Sequence, residues 1–82
     1  MRHPRSRDDW RKMSDKDRRE PGAPPDSCYL KDNRTYPYKA WDGKEWRISL
    51  LLLNSAIYLG NLHGETAVVT KAQRIKKREF GD

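Results

Sequence analysis

The chain has 82 residues, of which 34% are hydrophobic and 37% are charged, and its formal net charge is +6. This length allows one small domain at most, and the shortage of apolar residues favours partial disorder, because little surface can be buried to offset chain entropy. The positive charge favours anionic partners. The alternative interpretation is that this charge only keeps a small protein soluble. The single cysteine, Cys28, excludes an intramolecular disulfide and is typical of a reducing compartment.

The first 26 residues predict a disordered basic arm that ends in a Pro-rich linker. Eight Lys or Arg residues alternate with six Asp or Glu residues, and only Trp10 and Met13 are large and apolar. Mixed charge without an apolar stripe is typical of disorder, or of a transient helix over residues 8–20. A second interpretation is that the arm orders on a partner, with Trp10 as its anchor. Its charge contacts would be Arg2, Arg5, Arg7, Arg11, Lys12, Arg18 and Arg19.

The segment after the arm predicts a short β-hairpin and then a helix start. A turn signal separates residues 28–31 from residues 34–38, which are expected to pair as two short strands. Asp42 is followed by Glu45 at the spacing of a capping box, in which a side chain accepts from the first free helical amides. We therefore expect a helix to begin at about Trp46.

Five aromatic residues are concentrated in this segment, and they permit two interpretations. Aromatic rings among basic residues can stack on nucleic-acid bases. More often they form a lid over a small core, because Tyr and Trp supply a large apolar area with one polar end. The residues concerned are Tyr29, Tyr36, Tyr38, Trp41 and Trp46.

The longest apolar run predicts a first helix over residues 46–62. Its principal stripe, at helical spacing, consists of Trp46, Leu50, Leu53 and Ile57. Further apolar residues widen this stripe and reach the far side, so one small neighbouring element cannot cover the whole helix. We predict that the surplus forms an apolar partner interface or an oligomer seam, made of Leu51, Tyr58 and Leu62 together with Trp10.

Residues 65–80 predict a second amphipathic helix that ends at Gly81. Its narrow apolar stripe consists of Val68, Ala72 and Ile75, and the small Ala72 allows close approach to the first helix. The Gly-containing connection between the two helices is short, which makes them packed neighbours.

The second helix also carries a dense group of cations, which we predict to bind phosphates or an acidic partner. An ordinary solvated face opposite the core stripe is the alternative interpretation. No arrangement of side chains argues for base-specific readout, so contacts to a nucleic-acid backbone are expected ahead of sequence recognition. The cations are Lys71, Arg74, Lys76, Lys77 and Arg78.

The sequence predicts no enzyme activity, no cofactor and no metal site. Cys28 and His63 could form a dyad only on paper, because no third group is suggested that would orient them. The remaining histidine, His3, is too far from both in sequence to complete a zinc-ligand pattern. A buried thiol and a surface imidazole are the expected roles of Cys28 and His63.

A motif in the hairpin segment resembles a small domain of unknown function that occurs in phage and prophage proteins. Residues 27–81 match its order of an aromatic, a turn, a basic residue and Tyr-Pro, followed by a helical pair. The resemblance implies an accessory or structural role and no catalytic residues. The residues that carry it are Ser27, Tyr29, Leu30, Arg34, Tyr36 and Pro37.

Together these patterns predict a mostly α fold, with a short N-terminal hairpin or loop followed by a two-helix hairpin. The disordered arm covers residues 1–26 and the small helical domain covers residues 27–82. The predicted function is non-enzymatic docking onto a larger protein or nucleoprotein assembly, such as a phage-like virion, in the host cytoplasm or the virion itself. The alternative is a regulator that binds DNA or RNA without sequence specificity through a helix-turn-helix-like pair. A homo-oligomer is possible, and no membrane partner is expected.

Overall fold

A computed structural model describes residues 3–14, 16–31 and 33–81 of the protein. Two short β-hairpins precede two packed helices, and a one-turn helix lies in the N-terminal arm. A single 3-10 turn, Asp26–Cys28, leads into the first hairpin. In chain order the elements are α1 (Arg7–Arg11), β1 (Tyr29–Lys31), β2 (Thr35–Pro37), β3 (Lys39–Trp41), β4 (Trp46–Ile48), α2 (Leu50–Leu62) and α3 (Thr66–Phe80).

The first hairpin lies where the sequence predicted it. Strands β1 and β2 are antiparallel, and Tyr29 pairs with Pro37 while Lys31 pairs with Thr35. The turn is closed by the Arg34 amide, which donates to the Lys31 carbonyl at 3.2 Å. Arg34 has a positive φ of 60°, an uncommon conformation for a residue with a side chain.

A second hairpin was not predicted, and it makes the expectation of a mostly α fold wrong. Strands β3 and β4 pair antiparallel, with Trp41 opposite Trp46. Asp42 caps this β-turn and not a helix: its Oδ1 accepts from the amides of Lys44 and Glu45, each at 2.8 Å. The same carboxylate chemistry serves an Asx turn and a helix N-cap, so Asp42 and Glu45 could not distinguish the two.

One residue, Tyr38, joins the two hairpins. Its amide donates to the Cys28 carbonyl and its carbonyl accepts from the Ser49 amide, both at 2.9 Å. Residues 35–41 therefore form one interrupted strand, whose first half pairs with β1 and whose second half pairs with β4. This continuity places both hairpins against the cores: Tyr38 and Ile48 pack on the main one, and Ala40 and Trp46 on a second one.

The helix pair forms the main core, and α2 is shorter than predicted. It begins after Ser49, whose hydroxyl accepts from the Leu52 amide at 3.3 Å, because the preceding residues belong to β4. The predicted stripe of α3 is confirmed as buried, and it packs on Leu53 and Ala56 of α2. Gly81 adopts the left-handed conformation predicted for the residue that ends α3.

The arm is the second point at which the predicted fold is wrong, because its described part packs against the domain. Trp10 is only 1% exposed, and its indole Nε1 donates to the Lys39 carbonyl at 2.9 Å. Trp10 and Met13 form a second core with Cys28 and with residues of β1 and α2. Trp10 and Met13 pack against residues that are far from the arm in the sequence. No local periodicity reveals such a contact, so the sequence did not predict it.

Loss of the Trp10 side chain should be among the most destabilising single changes in the protein. We expect Trp10→Ala to lower the free energy of unfolding by about 3–5 kcal/mol, because a fully buried aromatic side chain leaves a cavity and its partner carbonyl loses a donor. Chemical denaturation followed by circular dichroism measures this. The control is Tyr58→Ala on exposed α2 surface, which should change stability by less than about 0.5 kcal/mol. Equal effects of the two variants would contradict burial of the arm.

Gly60 permits the close contact between α2 and α3, since a Cβ there would lie 2.7 Å from Val69 Cγ2. Gly60→Ala should gain about 1 kcal/mol of helix propensity but lose about 1–3 kcal/mol to overpacking, for a net loss. The double variant with Val69→Ala should show favourable coupling in a double-mutant cycle. Asn61→Ala on the exposed side is the matched control. A stabilised Gly60→Ala variant would refute the contact.

Candidate binding surface

An exposed apolar face runs along α2. Leu51, Tyr58 and Leu62 are 55%, 67% and 65% exposed, and their spacing places them on one side of the helix. Leu59, beside them, is also exposed. We call Leu51, Tyr58, Leu59 and Leu62 the apolar face. It contains three of the four residues predicted as the apolar interface.

Trp10, the fourth predicted interface residue, does not lie on this face. Its ring is buried in the second core, edge-on to Tyr29 at a centroid distance of 5.4 Å. The prediction that Trp10 anchors a partner is therefore wrong: Trp10 anchors the arm to its own domain. A Trp in a polar segment does mark an anchor, but the sequence does not say whether the receptor belongs to the same chain.

A groove of about 390 Å³ separates the arm from α2. Three arginines form its arm side, namely Arg7, Arg11 and Arg18. Its opposite side includes Leu51, Tyr58 and Leu59, so the apolar face continues into the groove. Trp10, Tyr36 and Pro37 also line it. One wall is thus cationic and the other mostly apolar.

The arginines of the groove are not neutralised within the described part of the chain. None of Arg7, Arg11 and Arg18 forms an ion pair with a described carboxylate, and the buried Nε atoms of Arg7 and Arg18 have no hydrogen-bond partner there. Nearby Asp9 accepts from the amide of Arg5 at 3.0 Å, so it is already engaged with the backbone. The groove therefore presents positive charge towards an apolar wall.

Of the three arginines, Arg18 has a guanidinium that is held in place by several contacts. Its Nη1 donates to the Arg34 carbonyl and its Nη2 to the Trp10 carbonyl, both at 3.4 Å. Its guanidinium carbon lies 5.8 Å from the centroid of the Trp10 ring, a cation–π distance. In return, Arg34 donates to the Arg18 carbonyl. These contacts fix the position of one charge in the groove without adding a negative one.

Of the cations predicted on α3, Lys76 is partly buried and the other four are exposed. Lys71 borders the first hairpin, near Leu30 and Tyr38, whereas Lys76 and Lys77 border α2. Arg74 is exposed, and Arg78 contacts Glu79 at 3.4 Å. Of the arm cations predicted to bind, Arg11 lines the groove and Lys12 is exposed beside it.

The clustered aromatics pack together as a lid. Trp41 and Trp46 meet edge-to-face at 5.4 Å, and His3 lies 4.1 Å from the Trp41 ring centroid. Tyr29 is buried. These rings contact one another and the core, which leaves little flat surface for stacked bases.

Cys28 and His63 are not brought together as a dyad. Cys28 is fully buried in the second core, whereas His63 is exposed at the end of α2. Burial raises the pKa of the Cys28 thiol from 9.0 to about 11, although Lys39 acts in the opposite direction. At neutral pH the side chain is therefore a small apolar group and a poor nucleophile.

Among residues 3–14, 16–31 and 33–81, no group of three or more His, Cys, Asp or Glu residues could hold a metal ion. No helix in these segments combines the length and the apolar character needed to cross a membrane.

The groove itself was not predicted, although Arg7, Arg11 and Arg18 were predicted as charge contacts of the arm. Arg7 and Arg11 are one helical turn apart, which is a usable signal once α1 is known, but five residues make no convincing helix on their own. No local signal places Arg18 beside α2.

Comparisons with protein-family models, curated proteins and solved structures found no match to this chain. The resemblance to a phage-associated domain therefore stays a prediction.

The buried thiol predicts alkaline sensitivity. Because the folded state raises the pKa of Cys28 above its usual 9.0, unfolding becomes easier as the pH rises from about 9 to about 11. Below pH 9 the Cys28 thiol should make its full contribution to the free energy of unfolding. Urea unfolding at several pH values should show a fall that is smaller in Cys28→Ala, and the difference between the two proteins isolates this residue from the lysines. Parallel pH profiles would contradict the raised pKa.

Proposed function

We propose that the protein is a non-enzymatic interaction protein that docks onto a partner protein within a larger assembly through the apolar face of α2. The observation that carries this proposal is the exposure of Leu51, Tyr58 and Leu62 on one side of a helix whose other side is already packed. Solvent exposure of adjacent large apolar side chains is unfavourable for an isolated protein and is typical of a docking surface. A phage-like virion or nucleoprotein complex is the assembly we propose.

The apolar face suits a partner protein better than it suits a second copy of this chain. A symmetric pairing would bring two +6 chains together, with the groove arginines of each copy beside the interface. Tyr and Leu around a groove give a partner both apolar contact area and shape, which are the features of interface hot spots.

The test is affinity purification of the tagged full chain from cells that encode it. We expect Leu51→Glu combined with Tyr58→Glu to remove one stoichiometric partner, because each carboxylate would be desolvated in the interface. The matched control is Thr70→Glu combined with Gln73→Glu, which adds two carboxylates in place of neutral side chains on exposed surface elsewhere. Both proteins should have unchanged far-ultraviolet circular dichroism. Recovery of the same partner by both variants would reject the apolar face as the docking surface.

A second candidate function is binding to the backbone of nucleic acid through α3. It is favoured by exposed Lys71, Arg74 and Lys77, which form no ion pair among the described residues. Helix α3 is a stiff element on which such cations can meet phosphates. Lys71, Arg74 and Lys77 are spaced three residues apart in α3, so they follow one side of the helix.

A salt titration with random duplex DNA measures this second function. Affinity should fall steeply as salt rises, and replacement of Lys71, Arg74 and Lys77 by Ala should reduce the slope by up to about 3, or roughly 0.9 for each lost phosphate contact. The Leu51→Glu and Tyr58→Glu substitutions should leave this slope unchanged. The absence of binding at low salt would eliminate nucleic-acid binding.

A further inference from the structure

The groove has a chemical asymmetry that identifies the partner segment more closely than exposure alone. Arg7, Arg11 and Arg18 lie on the arm side, and Leu51, Tyr58 and Leu59 lie on the α2 side. A segment that fills this groove must be apolar towards α2 and must place acceptors towards the arm. An unpaired guanidinium near an apolar wall gains most from a carboxylate, because the charge-assisted hydrogen bond forms in a partly desolvated site.

The length of the apolar face indicates the form of the segment. From Leu51 to Leu62 the face follows α2 for about 16 Å, at about 1.5 Å per residue. A partner helix with apolar residues at every third or fourth position can cover this distance, which is the helix-in-groove mode of recognition. A small molecule in the groove would leave Leu62 uncovered, since Leu62 lies outside the groove lining.

The side chains of the α2 wall, more than the charges of the arm, decide between an acidic peptide and a nucleic acid. Phosphates would suit the arginines, but bases need flat aromatic surfaces to stack on. The α2 wall offers one exposed ring, Tyr58, between the aliphatic Leu51 and Leu59, so a run of successive bases would find no run of rings to stack on. The other aromatic residues of the groove, Tyr36 and Trp10, are partly buried and 1% exposed, respectively. Aliphatic side chains of a peptide helix match this wall better.

We propose that the groove between the arm and α2 binds an acidic amphipathic helix of the partner protein. Its leucine-like side chains pack on the apolar face, and its carboxylates pair with Arg7, Arg11 and Arg18 on the arm side of the groove. This proposal rests on the proposed function, since it names the partner segment for the same surface.

The experiment is a selection from a yeast-displayed library of helical peptides about 16 residues long, with the full chain as bait. Counter-selection against the Leu51→Glu/Tyr58→Glu protein removes peptides that bind elsewhere. The recovered peptides should have apolar residues at helical spacing and more Asp and Glu than the unselected library. Recovery of peptides without this acidic excess overturns the acidic proposal but leaves the proposed function intact. Failure to recover any peptide that depends on the apolar face overturns both.

The recovered peptides then test the arginines by fluorescence anisotropy. Arg7→Gln combined with Arg11→Gln should weaken binding by about tenfold, the sum of two ion pairs of ordinary strength. The matched control, Lys44→Gln combined with Lys71→Gln, removes the same charge outside the groove and should weaken binding less than about twofold. Equal losses in the two variants mean long-range attraction only and overturn the proposed pairing.

Two further measurements keep the result independent of folding defects in the arm. Ser55→Glu adds a carboxylate on the α2 wall of the groove and should weaken acidic peptides while leaving the arm in place. The Arg11→Glu variant should bind the acidic peptide poorly. It should bind more tightly to a peptide in which the Glu that faces residue 11 is replaced by Lys. An unlabelled oligo(dT) strand that displaces the peptide and depends on Arg7 and Arg11 would assign the groove to nucleic acid and overturn the proposal.

Discussion

The structure depends on the burial of one indole ring. Trp10 attaches the N-terminal arm to the strands through its hydrogen bond to Lys39 and through its contact with Tyr29. The arm also contributes a strand-like contact, because the Trp41 amide donates to the Pro4 carbonyl at 2.8 Å. A chain with so few apolar residues gains stability from each large side chain that it buries, and the arm supplies two of those in the second core. The second core contains Trp10, and the cationic wall of the groove belongs to the segment that these contacts attach.

The sequence was most informative where one local pattern had one structural solution. The α3 stripe and the hairpin at residues 29–37 were predicted because helical periodicity and turn chemistry each point to one arrangement. The β4 strand was missed because Asp42 caps a turn or a helix equally well, and because Trp46 fits the spacing of the apolar run that follows. Only the pairing of β4 with β3, a tertiary contact, decides between them.

The binding surface, like the fold, was only partly predictable from the sequence. The exposed residues of α2 were predictable, because an all-round apolar helix cannot be covered by one narrow stripe. The groove was not predictable, because its walls come from the arm and α2, which are far apart in the sequence. Ion pairs elsewhere involve other cations: Lys31 pairs with Glu65 at 2.8 Å, and Arg47 pairs with Asp42. Arg7, Arg11 and Arg18 are left without carboxylate partners among the described residues.

The attachment of the arm also has a thermodynamic consequence. A ligand in the groove touches both walls, so it binds only molecules in which the arm is docked, and its apparent affinity is reduced by the fraction in which the arm is undocked. By linkage, the same ligand stabilises the docked arm in proportion to the logarithm of its concentration. Residues such as Met13, which touch no ligand, thereby help to set the affinity of the groove. Packing of the arm and recognition of the partner are one coupled equilibrium.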